Sequence, residues 1–152
     1  KSININYKWP NDILLNEKKI GGVLVETSTY VNKNVKWVII GIGLNLIKFP
    51  KLKKKEFQIT SLKKEKIYIN KEDFIDSFLE IFFKNYESWK KKGFNFIKKK
   101  WMSRMFKKKD KVIVKYQNNY IKGKLVNLLI NGGLKLKING ETKELFYGEQ
   151  II

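Results

Sequence analysis

The sequence contains no cysteine and no histidine. Without cysteine there is no disulfide framework and no thiolate nucleophile. Without histidine, imidazole acid–base catalysis and histidine-ligated metal sites are excluded. Any metal ion would have to be a hard cation held by Asp or Glu oxygens or by substrate phosphates. No apolar run approaches the roughly 20 residues that a membrane span needs, so we expect no membrane association.

Alanine is also absent, and Arg104 is the only arginine among 33 basic residues. The formal net charge of +19 favours nucleic acids as partners. Arginine, however, is the side chain that makes bidentate contacts with bases and phosphates. Abundant Lys, Ile and Asn without Arg and Ala is more typical of an AT-rich genome, so we favour compositional bias. A basic RNA-binding module is the alternative, and in either case the charge would attract anions such as ATP.

Hydrophobic patterning predicts four strands in the first third of the chain. Residues 3–9 alternate between apolar and polar side chains, which is typical of a half-buried strand. Two short apolar runs follow at residues 13–15 and 20–27, and turn signals separate them. Residues 35–42 are almost continuously apolar and β-branched, which predicts a central strand buried on both faces. Strands this close in sequence predict an antiparallel meander.

A long amphipathic helix is predicted between Asn70 and Gly93. Asn70 is a preferred N-cap residue, and acidic residues occupy the first turn after it. Apolar and aromatic residues repeat at helical spacing over about five turns, and Gly93 suits the C-terminal end. We expect this aromatic stripe to pack against the sheet rather than to bind a ligand. A shorter helix is predicted from about Asn95.

The C-terminal part of the chain predicts a small β domain. Charged residues 107–110 predict a linker, and short apolar runs follow it. Two of the intervening turns are Asn-Gly pairs, at 131–132 and 139–140, which are the strongest short hairpin signal. Closely spaced strands of this kind predict a small SH3-like barrel. The sequence is therefore divided into residues 1–108 and an SH3-like domain of residues 109–152.

Polar residues cluster around the first bend of the meander, in the stretch KWPNDILLNEKKIGG at residues 8–22. Lys19 stands beside two glycines, and glycines within a strand often mark close approach of a ligand. A lysine there would place a positive charge on a carboxylate or phosphate. Asp12 could hold Mg²⁺ or accept a proton from an amine. The residues alone favour ordinary turn formers over a binding site.

The fourth predicted strand ends in GIGLN, residues 41–45. This is not the dinucleotide-binding fingerprint, because the third glycine is missing and no helix follows. Small residues here would let a flat ring lie against the backbone, and the Asn45 amide could hydrogen-bond an adenine edge. Taken alone, the pattern is more often a simple bend.

Three motifs taken together resemble a known family. KWPNDI at residues 8–13 is followed by KKIGGVLVE at 18–26 and GIGLN at 41–45. Their order and spacing closely resemble the biotin protein ligases, which carry Lys-Trp-Pro-Asn-Asp, a Lys-x-x-Gly strand and a Gly-x-Gly-x-Asn strand end. The later helices and a C-terminal barrel with Gly-Glu near its end, here at 148–149, are similar too. The resemblance covers essentially the whole chain, and KWPND is its specific motif.

The resemblance implies an α+β fold. A mixed or antiparallel sheet packed by helices would form the C-terminal part of a class II synthetase-like catalytic domain, followed by the small SH3-like β-barrel. The implied activity is that of a biotin–[acetyl-CoA-carboxylase] ligase. Such an enzyme uses ATP and Mg²⁺ to convert biotin to biotinyl-5'-AMP. It then transfers biotin to a lysine of the biotin carboxyl carrier protein, in the cytoplasm.

The resemblance also implies roles for individual residues. Lys19 would contact the biotin carboxylate and the α-phosphate, and Asp12 would orient or deprotonate the incoming amine or help to hold Mg²⁺. The implied biotin-binding residues are Lys19, Gly22, Val23 and Leu24. The implied ATP-binding or adenylate-binding residues are Lys8, Asn11, Gly41, Ile42 and Asn45.

Part of the family pattern does not occur in residues 1–152. Ligases of this family carry, upstream of KWPND, a Gly/Arg-rich loop that folds over the adenylate and further contacts to biotin. We therefore expect a truncated, inactive fragment or a gene remnant. The DNA-binding winged helix of some members is also missing, so no specific DNA binding is expected. A lipoate-type protein ligase is a second alternative. The strand from Gly22 to Thr27 and its following loop could pair with a second subunit in a homodimer, or be capped by the upstream half.

Overall fold

The computed structural model describes residues 3–28, 35–50, 58–107 and 111–151. These residues form two antiparallel sheets and two helices, so the α+β class is confirmed. The first sheet contains β1 (Ile5–Lys8), β2 (Asp12–Leu15), β3 (Lys18–Thr27) and β4 (Val38–Leu44). The helices are α1 (Lys71–Lys92) and α2 (Phe94–Ser103). The second sheet contains β5 (Lys111–Tyr116), β6 (Asn119–Leu128), β7 (Leu134–Ile138), β8 (Glu141–Leu145) and β9 (Glu149–Ile151).

The first sheet is the predicted meander, with strand order β1-β2-β3-β4. A turn at residues 9–11, which includes a cis peptide bond before Pro10, joins β1 to β2. Asn16 and Glu17 form the next turn, and both have positive φ angles, of 49° and 65°. Two positive φ angles in a two-residue loop match the right-handed twist of the strands that it joins.

The predicted burial of the fourth strand is wrong. In the described part of the chain, β4 pairs only with β3 and forms one edge of the sheet. Val38, Ile39 and Ile40 are all about half exposed. A continuous apolar run is compatible with a strand that is buried on both faces. Burial also requires that other strands or helices pack against those faces. The described residues leave both faces of β4 largely uncovered.

Helix α1 begins and ends at the predicted residues. The Asn70 side chain accepts a hydrogen bond from the Asp73 backbone N–H at 3.1 Å, and Gly93 closes the helix with φ of 71°. The expected burial of its aromatic stripe against the sheet is wrong, because none of the helix residues is buried. Instead, Phe82 and Tyr86 stack on each other and face a groove. This groove, of about 590 Å³, is lined by Val38, Ile40, Phe82, Asn85, Tyr86, Trp89, Phe94 and Ile97.

The second sheet has the strand order β8-β7-β6-β5-β9. The four predicted strands are present, and β9 is an additional strand that pairs with β5. Within the described ranges β8 and β9 are the outer strands and do not pair, so the sheet is not a closed barrel. The predicted linker at residues 107–110 lies mostly outside the described residues, and the division into two domains stays a prediction. No described helix is long and apolar enough to cross a membrane.

A residue of the first sheet's turn lies in the core of the second sheet. Trp9 is 2% exposed and packs in one cluster with Met105 and with residues of β5, β6, β7 and β8. Its indole N–H donates to the Gly132 carbonyl at 2.9 Å. Its backbone N–H donates to Gln150 Oε1, and its carbonyl accepts from the Gln150 N–H. The turn between β1 and β2 is therefore fixed on the second sheet.

Replacing Trp9 should destabilise the protein far more than replacing an exposed tryptophan. Trp9→Ala removes a large buried ring, and we expect it to lower the free energy of unfolding by about 3 to 5 kcal/mol. Trp9→Phe keeps most of the packing but leaves the Gly132 carbonyl without its donor, at a cost of about 1 to 2 kcal/mol. The matched control, Trp89→Ala, changes a side chain that is 46% exposed. It should cost about 1 kcal/mol or less.

Urea denaturation followed by far-UV circular dichroism measures all three variants. Equal losses for Trp9→Ala and Trp89→Ala would contradict the assignment of Trp9 to the core.

Candidate active site

A cleft of about 690 Å³ lies over the ends of β2, β3 and β4. It collects nine of the ten residues that the sequence predicts for the site. The antiparallel register explains this, because Val23 lies opposite Ile42 and Leu24 lies opposite Gly41. The predicted residues that line the cleft are Asn11, Asp12, Lys19, Gly22, Val23, Leu24, Gly41, Ile42 and Asn45.

A β-bulge at Ile20 brings Lys19 to the same face of the sheet as Asp12. Ile13 pairs with Gly21, but the next residue of β2, Leu14, pairs with Lys19. Ile20 is the extra residue, and without it Lys19 would face the opposite side. A one-residue change of register reverses the side of every following side chain, and a bulge re-aims a side chain in this way. The Ile20 carbonyl, which is displaced from the ladder, accepts the Asn45 backbone N–H at 2.8 Å.

Asp12 is an almost buried carboxylate between two lysines. Its Oδ1 atom lies 2.5 Å from the Lys19 ammonium, and its Oδ2 atom lies 2.9 Å from the Lys8 ammonium. The Asp12 side chain is 7% exposed, whereas that of Lys19 is 37% exposed. The ammonium of Lys19 is therefore accessible from the cleft, and its ion pair with the almost buried Asp12 holds it in position. An ammonium held in this position can receive a carboxylate or a phosphate.

Lys8 is the tenth predicted residue, and it does not line the cleft. Its side chain is 1% exposed and lies behind Asp12. Its ammonium also contacts Glu149 Oε1 of β9 at 3.2 Å. The ammonium contacts carboxylates of the protein and does not face the cleft. The predicted contact of Lys8 with a nucleotide therefore has no support from this arrangement and stays a prediction.

Glycines keep the floor of the cleft low. A Cβ atom at Gly22 would lie 3.3 Å from the Asn11 carbonyl oxygen and 3.6 Å from Asp12 Oδ1. Gly21 has a different reason to be glycine, since its Cβ atom would collide with the Gly43 carbonyl oxygen of the paired strand. At Gly41 and Gly43 the nearest atoms would be at ordinary contact distances of 3.8 and 4.0 Å. Neighbouring atoms therefore do not require glycine there, and a side chain would instead fill the cleft.

The segment at residues 58–60 forms one side of the site, which the sequence analysis missed. The Lys19 backbone bonds to this segment twice: its N–H donates to the Gln58 carbonyl at 2.8 Å, and its carbonyl accepts from the Thr60 N–H at 2.9 Å. The Asn45 side-chain amide donates to the Thr60 carbonyl at 3.0 Å. Asn45 thus anchors this segment, in addition to its predicted contact with adenine. One sequence feature could have pointed to this segment: residues 58–62 contain no lysine, although lysine-rich runs lie on both sides of them.

Glu65 fastens this segment to β3. Its carboxylate accepts the Thr60 hydroxyl at 2.7 Å and pairs with the Lys18 ammonium at 3.0 Å. The hydrogen bond from Thr60, followed by the bond from Lys18, lowers the pKa of Glu65 below its ordinary value of 4.5. The charged form of Glu65 therefore stabilises the folded state.

The acidic groups around Asp12 do not fit a resident magnesium ion. In residues 3–28, 35–50, 58–107 and 111–151, no three acidic side chains lie close enough to share a cation. Both carboxylate oxygens of Asp12 contact ammonium groups, and these would repel a metal ion. The donor set therefore gives the predicted Asp12-bound metal no support. Magnesium also binds through substrate phosphates with few protein ligands.

Comparison with known proteins identifies the family. The sequence model of the Biotin/lipoate A/B protein ligase family matches residues 2–103. The chain belongs to this family. The resemblance to biotin protein ligases predicted from KWPNDI, KKIGGVLVE and GIGLN is thereby confirmed.

Individual relatives of the chain are named as ligases, and one of the two is named for biotin. The chain is 32% identical over 149 residues to the bifunctional ligase/repressor BirA of Bacillus subtilis, covering 95% of this chain and 45% of that protein. A 43-residue stretch is 49% identical to the biotin–[acetyl-CoA-carboxylase] ligase of Paracoccus denitrificans, covering 28% of this chain and 18% of that protein.

A solved structure resembles nearly the whole chain. It is the biotin protein ligase of Aquifex aeolicus in complex with biotin and ATP, with 28% identity and a TM-score of 0.73. The match covers 96% of this chain and 60% of that chain. The chain therefore spans about half the length of the relative from Bacillus and somewhat more of the Aquifex ligase.

Acid should weaken the attachment of the 58–65 segment through Glu65. Because the pKa of this carboxyl is lowered on folding, its stabilisation is complete above the unfolded pKa. It is lost as the pH falls through the folded pKa, from about pH 5 downwards. The difference in free energy of unfolding between the wild type and Glu65→Gln should therefore shrink over this range, as measured by urea denaturation at a series of pH values.

The Thr60→Val variant provides the control. It removes the hydrogen bond that contributes most to the lowered pKa. In the Thr60→Val background, the further loss of stability caused by Glu65→Gln should therefore be smaller and less dependent on pH. A difference between the wild type and Glu65→Gln that stays constant down to the lowest pH would contradict the role of the Glu65 carboxylate.

Proposed function

We propose that the cleft is one wall of the adenylation site of a biotin protein ligase. The ligase would use ATP to activate biotin as biotinyl-5'-AMP and would then transfer biotin to a lysine of the biotin carboxyl carrier protein of acetyl-CoA carboxylase, in the cytoplasm. The observation that carries the proposal is the ammonium of Lys19, held by Asp12 at a glycine-floored cleft. The Paracoccus relative and the Aquifex structure, both named for biotin ligation, support it.

In the first step, an oxygen of the biotin carboxylate attacks the α-phosphorus of ATP. An acyl–oxygen–phosphorus linkage forms, and the bond to pyrophosphate breaks. Negative charge is concentrated where the two anionic groups meet, so the protein must mainly position them and supply positive charge. The ammonium of Lys19 supports this role, because it is accessible from the cleft and bonded to one carboxylate oxygen of Asp12.

In the second step, the amine of a carrier lysine attacks the acyl carbon of biotinyl-AMP, loses a proton and releases AMP. Asp12 Oδ1 holds Lys19 in the structure. When Lys19 turns towards the acyl phosphate, this oxygen becomes available to the incoming amine. Asp12 Oδ2 stays bonded to Lys8, so the carboxylate keeps its orientation during the exchange. The same carboxylate can thus serve both lysines in turn.

The remaining lining residues form two regions of the wall. Gly22, Val23 and Leu24 would contact biotin, whose sulfur-containing ring and aliphatic chain are apolar. Gly41 and Ile42 would contact the adenine ring, with Asn45 at its edge and Asn11 towards the phosphates. Leu24 and Ile42 are exposed in this chain. Such exposure is expected of apolar side chains that a ligand or a covering loop would bury. Any Mg²⁺ would enter with the ATP phosphates.

A lipoate-type ligase is the second candidate, because the matched family includes lipoate ligases. The Paracoccus relative and the Aquifex structure, both named for biotin, favour biotin as the substrate. Supplying the two acids separately to the full reading frame that contains this chain, with ATP, distinguishes them. Adenylation of lipoate alone would exclude the biotin assignment.

Lys19→Ala should abolish most adenylate formation by the full reading frame that contains this chain. The loss of one stabilising positive group at the reacting centre is expected to lower kcat by about 100-fold or more. Lys122→Ala makes the same change of charge on an exposed position of β6 and should leave the rate unchanged. Release of radiolabelled pyrophosphate measures both. Near-normal activity of Lys19→Ala would refute the role of Lys19.

The 152-residue chain by itself should form no appreciable biotinyl-AMP from biotin and ATP. The cleft has a wall but not the Gly/Arg-rich covering loop that the resemblance implies. Water would therefore reach the reacting groups, and the adenylate would not be retained. Thin-layer chromatography of radiolabelled adenylate tests this. Formation at the rate of a complete ligase would show that the 152 residues suffice.

A further inference from the structure

Lys8 is a buried ammonium held between the two sheets. Its side chain is 1% exposed, with Asp12 Oδ2 at 2.9 Å and Glu149 Oε1 at 3.2 Å. Asp12 belongs to β2 of the first sheet, and Glu149 belongs to β9 of the second. A buried charge is stable only when opposite charges or hydrogen bonds compensate it. The two sheets therefore share one compensated charge.

Glu149 contributes to the balance of the charges around Lys8 and Asp12. Lys8 and Lys19 contribute two positive charges, and Asp12 contributes a single negative charge that both lysines contact. Glu149 contributes the second negative charge through Lys8. Without Glu149, Lys8 would lose one of its carboxylate contacts and would draw Asp12 more strongly. The direction of Asp12 towards Lys19 thus depends on a residue of the other sheet.

The backbone around Glu149 holds this carboxylate in place. The adjacent Gln150 is fully buried, and its side chain accepts the Trp9 N–H and donates to the Phe106 carbonyl, both at 3.3 Å. Glu149 itself pairs with Lys115 in the ladder between β5 and β9. Although the Glu149 side chain is 55% exposed, its backbone cannot move away from Lys8 unless these bonds break.

We propose that Glu149 is a positioning residue for the candidate site. Through Lys8 it fixes Asp12, so that Asp12 Oδ1 stays directed at Lys19. Glu149 does not line the cleft, whose lining comes from the first sheet and the segments that follow it. The inference rests on the proposed function, in which Asp12 and Lys19 are the acting groups. It assigns the second sheet a part in the reaction without any contact with substrate.

The positioning is tested in this chain by comparing two variants of the same sheet. Glu149→Gln removes the negative charge beside Lys8. The control, Glu144→Gln, removes the negative charge of another glutamate that pairs with a lysine. Glu144 lies 3.3 Å from Lys135 and is 43% exposed, so the two changes are closely matched. The backbone amide resonances of Asp12 and Lys19 should move in Glu149→Gln and not in Glu144→Gln.

A double variant separates the route through Lys8 from a general disturbance. In a Lys8→Met background, Glu149→Gln should no longer move the resonances of Asp12 and Lys19. Resonances that stay in place in Glu149→Gln, or that move equally with and without Lys8, would overturn the proposal. These spectra do not depend on any ligase activity.

The consequence for the reaction is measured on the full reading frame that contains this chain. Glu149→Gln should lower kcat for biotinyl-AMP formation by about 10- to 100-fold, as expected for misplaced reacting groups, with smaller changes in KM. Glu149→Asp should restore part of the rate, and Glu144→Gln should match the wild type. An unchanged kcat in Glu149→Gln would overturn the role in the reaction. A wild type without ligase activity would instead refute the proposed function, and the amide resonances would still decide whether Glu149 positions the site.

Discussion

The fixing of Trp9 in the second sheet is the interaction on which the rest of the structure depends. The tryptophan lies in the turn that joins β1 to β2, between the buried Lys8 and the cleft residues Asn11 and Asp12. Its ring belongs to the core of the other sheet, and Gln150 binds its backbone on both sides. Since buried polar groups must be paired, this turn can hold its position only while the second sheet is folded against it. The local conformation of the site therefore depends on the packing of the two sheets against each other.

The charges of the site follow from the same arrangement. Lys8 is adjacent to Trp9, and its side chain is buried as well. Its ammonium must then find carboxylates, and it finds one from each sheet. Asp12 is left with a second oxygen for Lys19, whose exposed ammonium faces the cleft. The ion pairs of the buried Lys8 thus leave the ammonium of Lys19 as the charge that faces the cleft.

Two apolar surfaces remain uncovered in the described part of the chain. The outer strand β4 and the aromatic face of α1 border one groove of about 590 Å³. Gly41 and Ile42 of the same strand line the cleft, as does Asn45, which follows the strand. The candidate site therefore lies next to a surface that is apolar and open. This agrees with the observation that the chain spans only part of the length of its relatives.

Much of the fold was predictable because its signals are local. The alternation in residues 3–9, the Asn70 cap and the Asn-Gly turns each depend on neighbours in sequence, and they predicted the meander, the helix and the hairpins. The motifs in order also predicted nine residues that line one cleft. Burial was less predictable: the apolar run of β4 and the stripe of α1 were expected to be covered, but burial depends on other layers of the structure.

The sequence by itself determined which chemical groups the site could use, namely a lysine, an aspartate, glycines and no histidine or cysteine. Only the tertiary structure decided how they meet. The bulge at Ile20 places Lys19 on the face of Asp12, and strand pairing is a relation between segments that no local period encodes. The contact between Lys8 and Glu149 joins residues 141 positions apart, so it forms only when both sheets are folded together.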